Sequence, residues 1–181
     1  MKNKTVYILM GPSGSGKTTL GKFLQDSGIP ELISHTTRLP RKGEVDGKTY
    51  YFVNDNDFDN LDKIEETDYT GQHRYALAKE ELESKFKQYD RVFTIMDRKG
   101  AEQIKEKLPY GTVKVIYIDV SLRQMMERMK KRGDKDEDIL IRIDHAQRTN
   151  EFQNIEIADY VIENNNLEEA VNHLLSIVAA A

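Results

Sequence analysis

Residues 6–19 read Val6-Tyr7-Ile8-Leu9-Met10-Gly11-Pro12-Ser13-Gly14-Ser15-Gly16-Lys17-Thr18-Thr19. Five apolar residues in succession, two of them β-branched, predict a strand covered on both faces, the kind that belongs to a parallel sheet. The run stops at Gly11. From Lys17 to about Ser27, Leu20, Phe23 and Leu24 recur on one helical face, and Gly28 is a stop signal. Between strand and helix lies Gly-x-x-x-x-Gly-Lys-Thr, the phosphate-loop pattern, in the setting that gives it meaning. Glycines let the main chain wrap closely and aim N–H groups at phosphate oxygens. The helix start adds its positive dipole end. Lys17 brings a full charge to the outer phosphates, and Thr18 offers a hydroxyl to a Mg2+ ion that keeps most of its ligands as water. Gly11, Pro12, Ser13, Gly14, Ser15, Gly16, Lys17, Thr18 and Thr19 are therefore expected to hold the phosphates of ATP, with Thr18 as the metal ligand. The loop alone does not choose among kinase, ATPase and GTPase.

Outward from this unit, the alternation of strand and helix is interrupted and then resumes. Ile33 sits in a possible short second strand. Helices are predicted at 79–88, 99–107 and 139–152, and strands at 92–96, 113–119 and 160–162. Ser121 can cap a helix whose apolar face is Leu122, Met125, Met126 and Met129, a spacing that makes these methionines core. A last helix opens at Leu167 and carries Ala170, Val171, Leu174, Leu175 and Val178 on one side. This order predicts an α/β protein of the P-loop NTPase type, three layers α/β/α around a mainly parallel sheet. Residues 34–78 differ: they are polar and rich in Arg, Tyr, Asp and Asn, and read as an inserted subdomain. The expected organisation is one domain over 1–181, with a core of 1–33 and 79–181 and a short charged lid at about 130–141.

Composition narrows the classes. Among 181 residues, 27 Lys and Arg face 31 Asp and Glu, a net charge of −4 that argues against bulk nucleic-acid binding. No apolar run approaches the roughly 18 residues a membrane span needs, and Lys2-Asn3-Lys4 followed by a five-residue apolar run is not a secretory signal. The absence of cysteine excludes disulfides, thiolate metal sites and cysteine nucleophiles, and fits a cytoplasmic setting. The four histidines show no metal-ligand spacing and read as surface or capping residues; the acidic run Asp134 to Asp138 lacks the glycine and terminal glutamate of a calcium loop.

A second cluster concerns the acceptor. Residues 34–52 run Ser34-His35-Thr36-Thr37-Arg38-Leu39-Pro40-Arg41-Lys42-Gly43-Glu44-Val45-Asp46-Gly47-Lys48-Thr49-Tyr50-Tyr51-Phe52. Two guanidinium groups can clamp a phosphate through paired hydrogen bonds, and Tyr50 can add a hydroxyl. The segment closely resembles the monophosphate-binding region of guanylate kinases, Ser-x-Thr-Thr-Arg-x-Pro-Arg-x-Gly-Glu-x-x-Gly-x-x-Tyr-x-Phe, and meets every fixed position. The resemblance continues through Asp97-x-x-Gly100, Arg128-x-x-x-Arg132-Gly133, Arg142 with Ala146, and Asp159-Tyr160-Val161-Ile162-x-Asn164.

That resemblance implies transfer of a phosphoryl group from ATP to GMP, with Mg2+, in a monomer or homodimer that binds neither nucleic acid nor membrane. Arg38, Arg41, Tyr50 and Tyr75 would hold the GMP phosphate. Ser34 and one acid of the pair Glu65-Glu66, taken as Glu66, would read the guanine edge. Asp97 would assist that reading or order the metal shell. Lys17, Arg38, Arg128, Arg132 and Arg142 would act on the transferring group, and Asn164 would lie near the adenine. The chain departs from the pattern at Tyr75-Ala76-Leu77, where the family reads Tyr-Gly-Thr/Ser and uses that hydroxyl on the base. Arg74 adds a cation beside the acceptor site, Ile95 replaces an aspartate, and Thr149 stands for a glutamate common near the end of the lid helix. Two other readings share parts of the pattern. One is a P-loop kinase for another monophosphate or a sugar phosphate. The other is a non-catalytic guanylate-kinase-like binding module, which would have lost phosphate-loop residues that this chain keeps.

Overall fold

The computed structural model describes residues 4–41, 43–68, 73–108 and 110–180. Lys42 and the Gly71-Gln72 pair lie outside the described residues. β1 (Thr5–Met10) is the centre of the first sheet. β6 (Arg91–Ile95) and β7 (Thr112–Asp119) flank it, and β8 (Tyr160–Glu163) extends the sheet beyond β7, all parallel, in the order β6-β1-β7-β8. Helices cover both faces, so every β1 residue from Val6 to Met10 is buried, and successive side chains go to opposite sides. Val6, Ile8 and Met10 pack with Leu82 and Phe86 of α3 (Lys79–Gln88) and Ala101 and Ile104 of α4 (Arg98–Lys107). Tyr7 and Leu9 pack with Leu20 and Leu24 of α1 (Lys17–Asp26) and Leu174 and Val178 of α7 (Leu167–Ala179). These are the three layers expected of the fold class.

Residues 35–78 build a second sheet, in the order β3-β2-β5-β4. Its strands are β2 (His35–Thr36), β3 (Tyr51–Phe52), β4 (Lys63–Asp68) and β5 (Arg74–Ala78). β2 pairs parallel with β3 and antiparallel with β5, which pairs antiparallel with β4. The one-turn α2 (Asp55–Asp59) is capped by Asn54 and buries Phe58. Gln103 of α4 binds the β4 edge twice, accepting from Glu66 N at 3.1 Å and donating to Glu66 O at 3.0 Å, which ties the second sheet to the core.

α5 (Leu122–Arg132), capped by the Ser121 hydroxyl, buries Met125 and Met129 in a third cluster with Ile139 and Ile143 of α6 (Asp136–Arg148). Several sequence expectations are corrected. Ile33 is not in a strand; Glu31 makes a single parallel bridge to Phe93 at the β6 edge. Phe23 and Leu122 are exposed, while Gly21 and Ile177 take buried positions. The helix expected at 139–152 begins earlier, with Asp136, Glu137 and Asp138 in the first turn where the helix dipole favours carboxylates. It ends at Thr149 because Asn150 adopts a left-handed φ of 54°, and a 3-10 segment, Glu151–Ile157, follows. No helix among the described residues is long and apolar enough to cross a membrane.

Candidate active site

The loop between β1 and α1 is shaped by close contacts that only glycine permits. A Cβ at Gly11 would stand 2.6 Å from the Ile118 carbonyl oxygen, and one at Gly16, whose φ is 100°, would stand 2.3 Å from Asn164 Nδ2. Two side chains brace the loop from behind. Asn164, almost fully buried after β8, donates from Nδ2 to Ser15 O at 2.7 Å. Arg128 of α5 donates to Ser15 O at 3.2 Å and to Asn164 O at 2.5 Å. Lys17, the first residue of α1, folds back on the loop, its Nζ donating to Gly11 O at 2.6 Å and Pro12 O at 2.9 Å. Burial lowers the Lys17 pKa to about 8, against a smaller opposite pull from the Glu151 carboxylate.

Two cavities meet at this loop. One, of about 540 Å³, lies between the loop and the second sheet. Its walls include Gly11, Ser34, Tyr50, Tyr75, Asp97 and Arg142. The other, of about 550 Å³, lies between the loop and α5; Gly14, Gly16, Thr18, Thr19, Arg128, Arg132 and Asn164 line it. Ser13 and Lys17 belong to both. Pro12 and Ser15 are buried inside the loop. Arg142 reaches from α6 to within 3.2 Å of the Ser13 hydroxyl, and Arg132 pairs with Asp134.

Arg38 and Arg41 are not equivalent. Arg38 is buried, and its guanidinium grips both carboxylate oxygens of Glu44 at 2.9 Å. It also donates from Nε to the Tyr75 hydroxyl at 3.2 Å and lies 5.6 Å from the Tyr50 ring centroid. The paired Arg38 holds the Glu44 carboxyl down at about 2, so it is charged under all ordinary conditions. Burial raises the Tyr50 pKa, which keeps its hydroxyl a donor. Arg41 is exposed, with its backbone N–H donating to Glu44 at 2.6 Å. Glu44 organises this corner; it is a fixed position of the pattern in residues 34–52, a signal to which no role was attached.

The acid pair is corrected. A bulge between Lys63 and Glu65 resets β4, so Glu65 and Thr67 share one face and Glu66 and Asp68 the other. Glu65 is buried in the cavity wall. Glu66, the residue expected to read the base, turns away to Arg74 at 3.2 Å and Lys63 at 3.2 Å. Arg74 likewise stands off the site, bound to Asp59 at 2.7 Å and stacked 4.3 Å over the Phe58 ring. Burial raises the Glu65 pKa, opposed by hydrogen bonds from the Thr67 hydroxyl and the Leu77 backbone. Asp97 caps α4, accepting from Gly100 N at 2.9 Å, and lines the same cavity.

The sequence reading also missed Thr67, His145, Glu151 and Asn154, all in the cavity wall. His145, expected at the surface, is exposed, and it also borders the cavity one turn after Arg142. Glu151, just past the end of α6 and directly after the left-handed Asn150, lines the cavity. A one-residue conformational switch of this kind leaves no periodic signal.

A phosphate loop at the edge of a parallel sheet, a second sheet carrying an anchored arginine and two tyrosines, and an arginine-bearing helix pair define a P-loop nucleotide phosphotransferase architecture. The guanylate kinase family model matches residues 3–181. The chain is 35% identical to guanylate kinase of Mycoplasma genitalium over 96% of its length and 74% of the relative's. It is 36% identical to that of Wolinella succinogenes over 97% and 84%. The crystal structure of guanylate kinase from Anaplasma phagocytophilum superposes with a TM-score of 0.69 at 27% identity, covering 99% of this chain and 85% of that one. The chain belongs to the guanylate kinase family.

Proposed function

We propose that this chain transfers the terminal phosphoryl group of ATP to GMP, giving ADP and GDP, as a cytoplasmic monomer or homodimer. The observation that carries the reading is the meeting of two nucleotide-sized cavities at Ser13 and Lys17. The ATP triphosphate lies along Gly11 to Thr19, with Asn164 toward the adenine side. The GMP phosphate sits against Arg38, Arg41, Tyr50 and Tyr75, and Ser34, Glu65 and Asp97 face the base edge. A GMP phosphate oxygen then attacks the γ-phosphorus in line as the bond to the ADP oxygen breaks. Lys17, Arg128, Arg132 and Arg142 offset charge spread over the transferring oxygens. Excluding water while both nucleotides are bound keeps ATP from being hydrolysed without an acceptor.

The donor set fits Mg2+. Among the described residues no trio of His, Asp and Glu is grouped to hold a metal, and Thr18 offers an exposed hydroxyl at the start of α1. A magnesium ion held mainly by substrate phosphates and water needs no more protein oxygens than that. Thr18 would hold the ion, which would supply positive charge to offset the negative charge of the phosphates.

An ADP-release assay over GMP, AMP, CMP, UMP, IMP and a sugar phosphate tests the proposal. Turnover with GMP is expected to exceed every other acceptor by about a hundredfold or more in kcat/KM; equal or better use of another acceptor refutes GMP as substrate. The Lys17 pKa gives a second expectation. Phosphate binding needs the ammonium form, so kcat/KM for ATP should fall by one proton as pH rises through about 8. Bound phosphates favour the charged form, so kcat should persist to higher pH. A kcat/KM profile flat across that range would contradict the assignment.

A further inference from the structure

The base end of the acceptor cavity contains a residue that the resemblance does not assign. Glu65 and Thr67 are alternate residues of β4 and face the same way, and β5 sets Leu77 opposite Glu65 and Tyr75 opposite Thr67. The Thr67 hydroxyl donates to Glu65 Oε1 at 2.6 Å, and both residues line the cavity with Ser34 and Asp97. Leu77 cannot take part in polar recognition: its side chain is fully buried in the cluster of Val6, Ile8 and Met10. A carboxylate has rotational freedom about its last bond, and one strong donor held on the same strand removes it.

We propose that Thr67 is a positioning residue for base recognition: it fixes the Glu65 carboxylate so that the remaining lone pairs meet the N–H donors of a 2-aminopurine edge. This deepens the function proposed above and rests on it. It assigns to a β4 hydroxyl the polar work that position 77 does not do in this chain.

Thr67→Val keeps the shape and removes the hydroxyl. The expected result is a KM for GMP raised about tenfold, the scale of one hydrogen bond to a charged group. The KM for ATP and kcat at saturating GMP should stay within about twofold, and the preference for GMP over IMP should fall about tenfold. Thr67→Ser, which restores the donor, should return all three toward wild type. The pH profile supplies a readout that a packing role would not move. Loss of the hydroxyl removes a stabiliser of the ionised carboxylate, so the acid limb of kcat/KM for GMP should move to higher pH in Thr67→Val and back in Thr67→Ser.

Other titratable groups share the cavity wall with Glu65: Asp97 before α4, Lys17 at α1, Tyr50 before β3, Tyr75 on β5, Arg142 and His145 on α6, and Glu151 beyond it, while Asp97 and the neighbouring Glu66 act on its carboxyl through their charge. They are the same in all three proteins, so the difference between profiles reports Glu65. An unchanged GMP KM and acid limb in Thr67→Val, with wild-type GMP turnover intact, overturns the inference and leaves the proposed function standing. Equal losses for ATP and GMP, unrescued by serine, also overturn it. If the valine variant does not fold, Thr67→Ala read by the same assays decides the matter. A wild-type protein that does not phosphorylate GMP overturns the function itself.

Discussion

Replacing Lys17 with alanine is expected to lower kcat by about a thousandfold, on the order of 4 kcal/mol of transition-state stabilisation. Lys17 is the side-chain cation shared by the two cavities, so it stands where the phosphoryl group must cross. Its ammonium donates to the Gly11 and Pro12 carbonyls. Those bonds neighbour an open cavity, so water can replace them in the variant, and the core clusters that hold the sheet do not include Lys17. The melting temperature should therefore change by no more than about 3 °C, since the two part-buried bonds lost border a cavity that water can enter. The KM for GMP should rise less than about fivefold, because acceptor recognition lies on the second sheet. Steady-state rates with each nucleotide varied in turn, together with thermal unfolding, check this. A kcat within tenfold of wild type would mean that the charge needed at the crossing point comes from Arg128, Arg132 and Arg142 alone.

The parts of this molecule legible in the sequence were those written as continuous or periodic patterns. The buried run of β1, the glycine-bounded loop and the paired faces of α3 and α7 each followed from spacing, because burial on one or both faces dictates it. The second sheet was not legible as a sheet. β2 and β3 are two residues each, and their pairing partners lie up to about forty positions away in β5, so no local pattern encodes them. Which acid of the Glu65-Glu66 pair lines the cavity was hidden for the same reason. A bulge at one position inverted the facing of everything after it, and the two acids are chemically identical. A single left-handed residue, Asn150, ends α6 before the expected bound at 152, and Glu151 follows it into the cavity wall. Fold followed from residue periodicity; the site depended on where periodicity breaks.

The non-equivalence of the two acceptor arginines leads to an asymmetric pair of variants. Arg38→Ala should lower kcat/KM for GMP by about a hundredfold or more, with the KM for ATP within about twofold. The buried guanidinium is held by Glu44, the Leu39 carbonyl and the Tyr75 hydroxyl, so its loss removes a fixed cation and leaves the Glu44 carboxylate without its guanidinium partner beside the acceptor site. Arg41→Ala should cost about tenfold, because an exposed side chain must be ordered at each binding event and is screened by solvent. Arg38→Lys separates charge from geometry: a lysine keeps the cation but cannot span both Glu44 oxygens and reach Tyr75, so it should recover less than about a tenth of the lost activity. Glu44→Gln, which keeps the shape but weakens the grip, should fall between wild type and Arg38→Ala through the acceptor KM. If Arg38→Lys behaves as wild type, the alignment by Glu44 has no part in acceptor binding. If Arg38→Ala and Arg41→Ala lose equal amounts, burial and prior alignment do not distinguish the two. Titration of each variant with GMP at fixed saturating ATP, and the reverse, separates these outcomes.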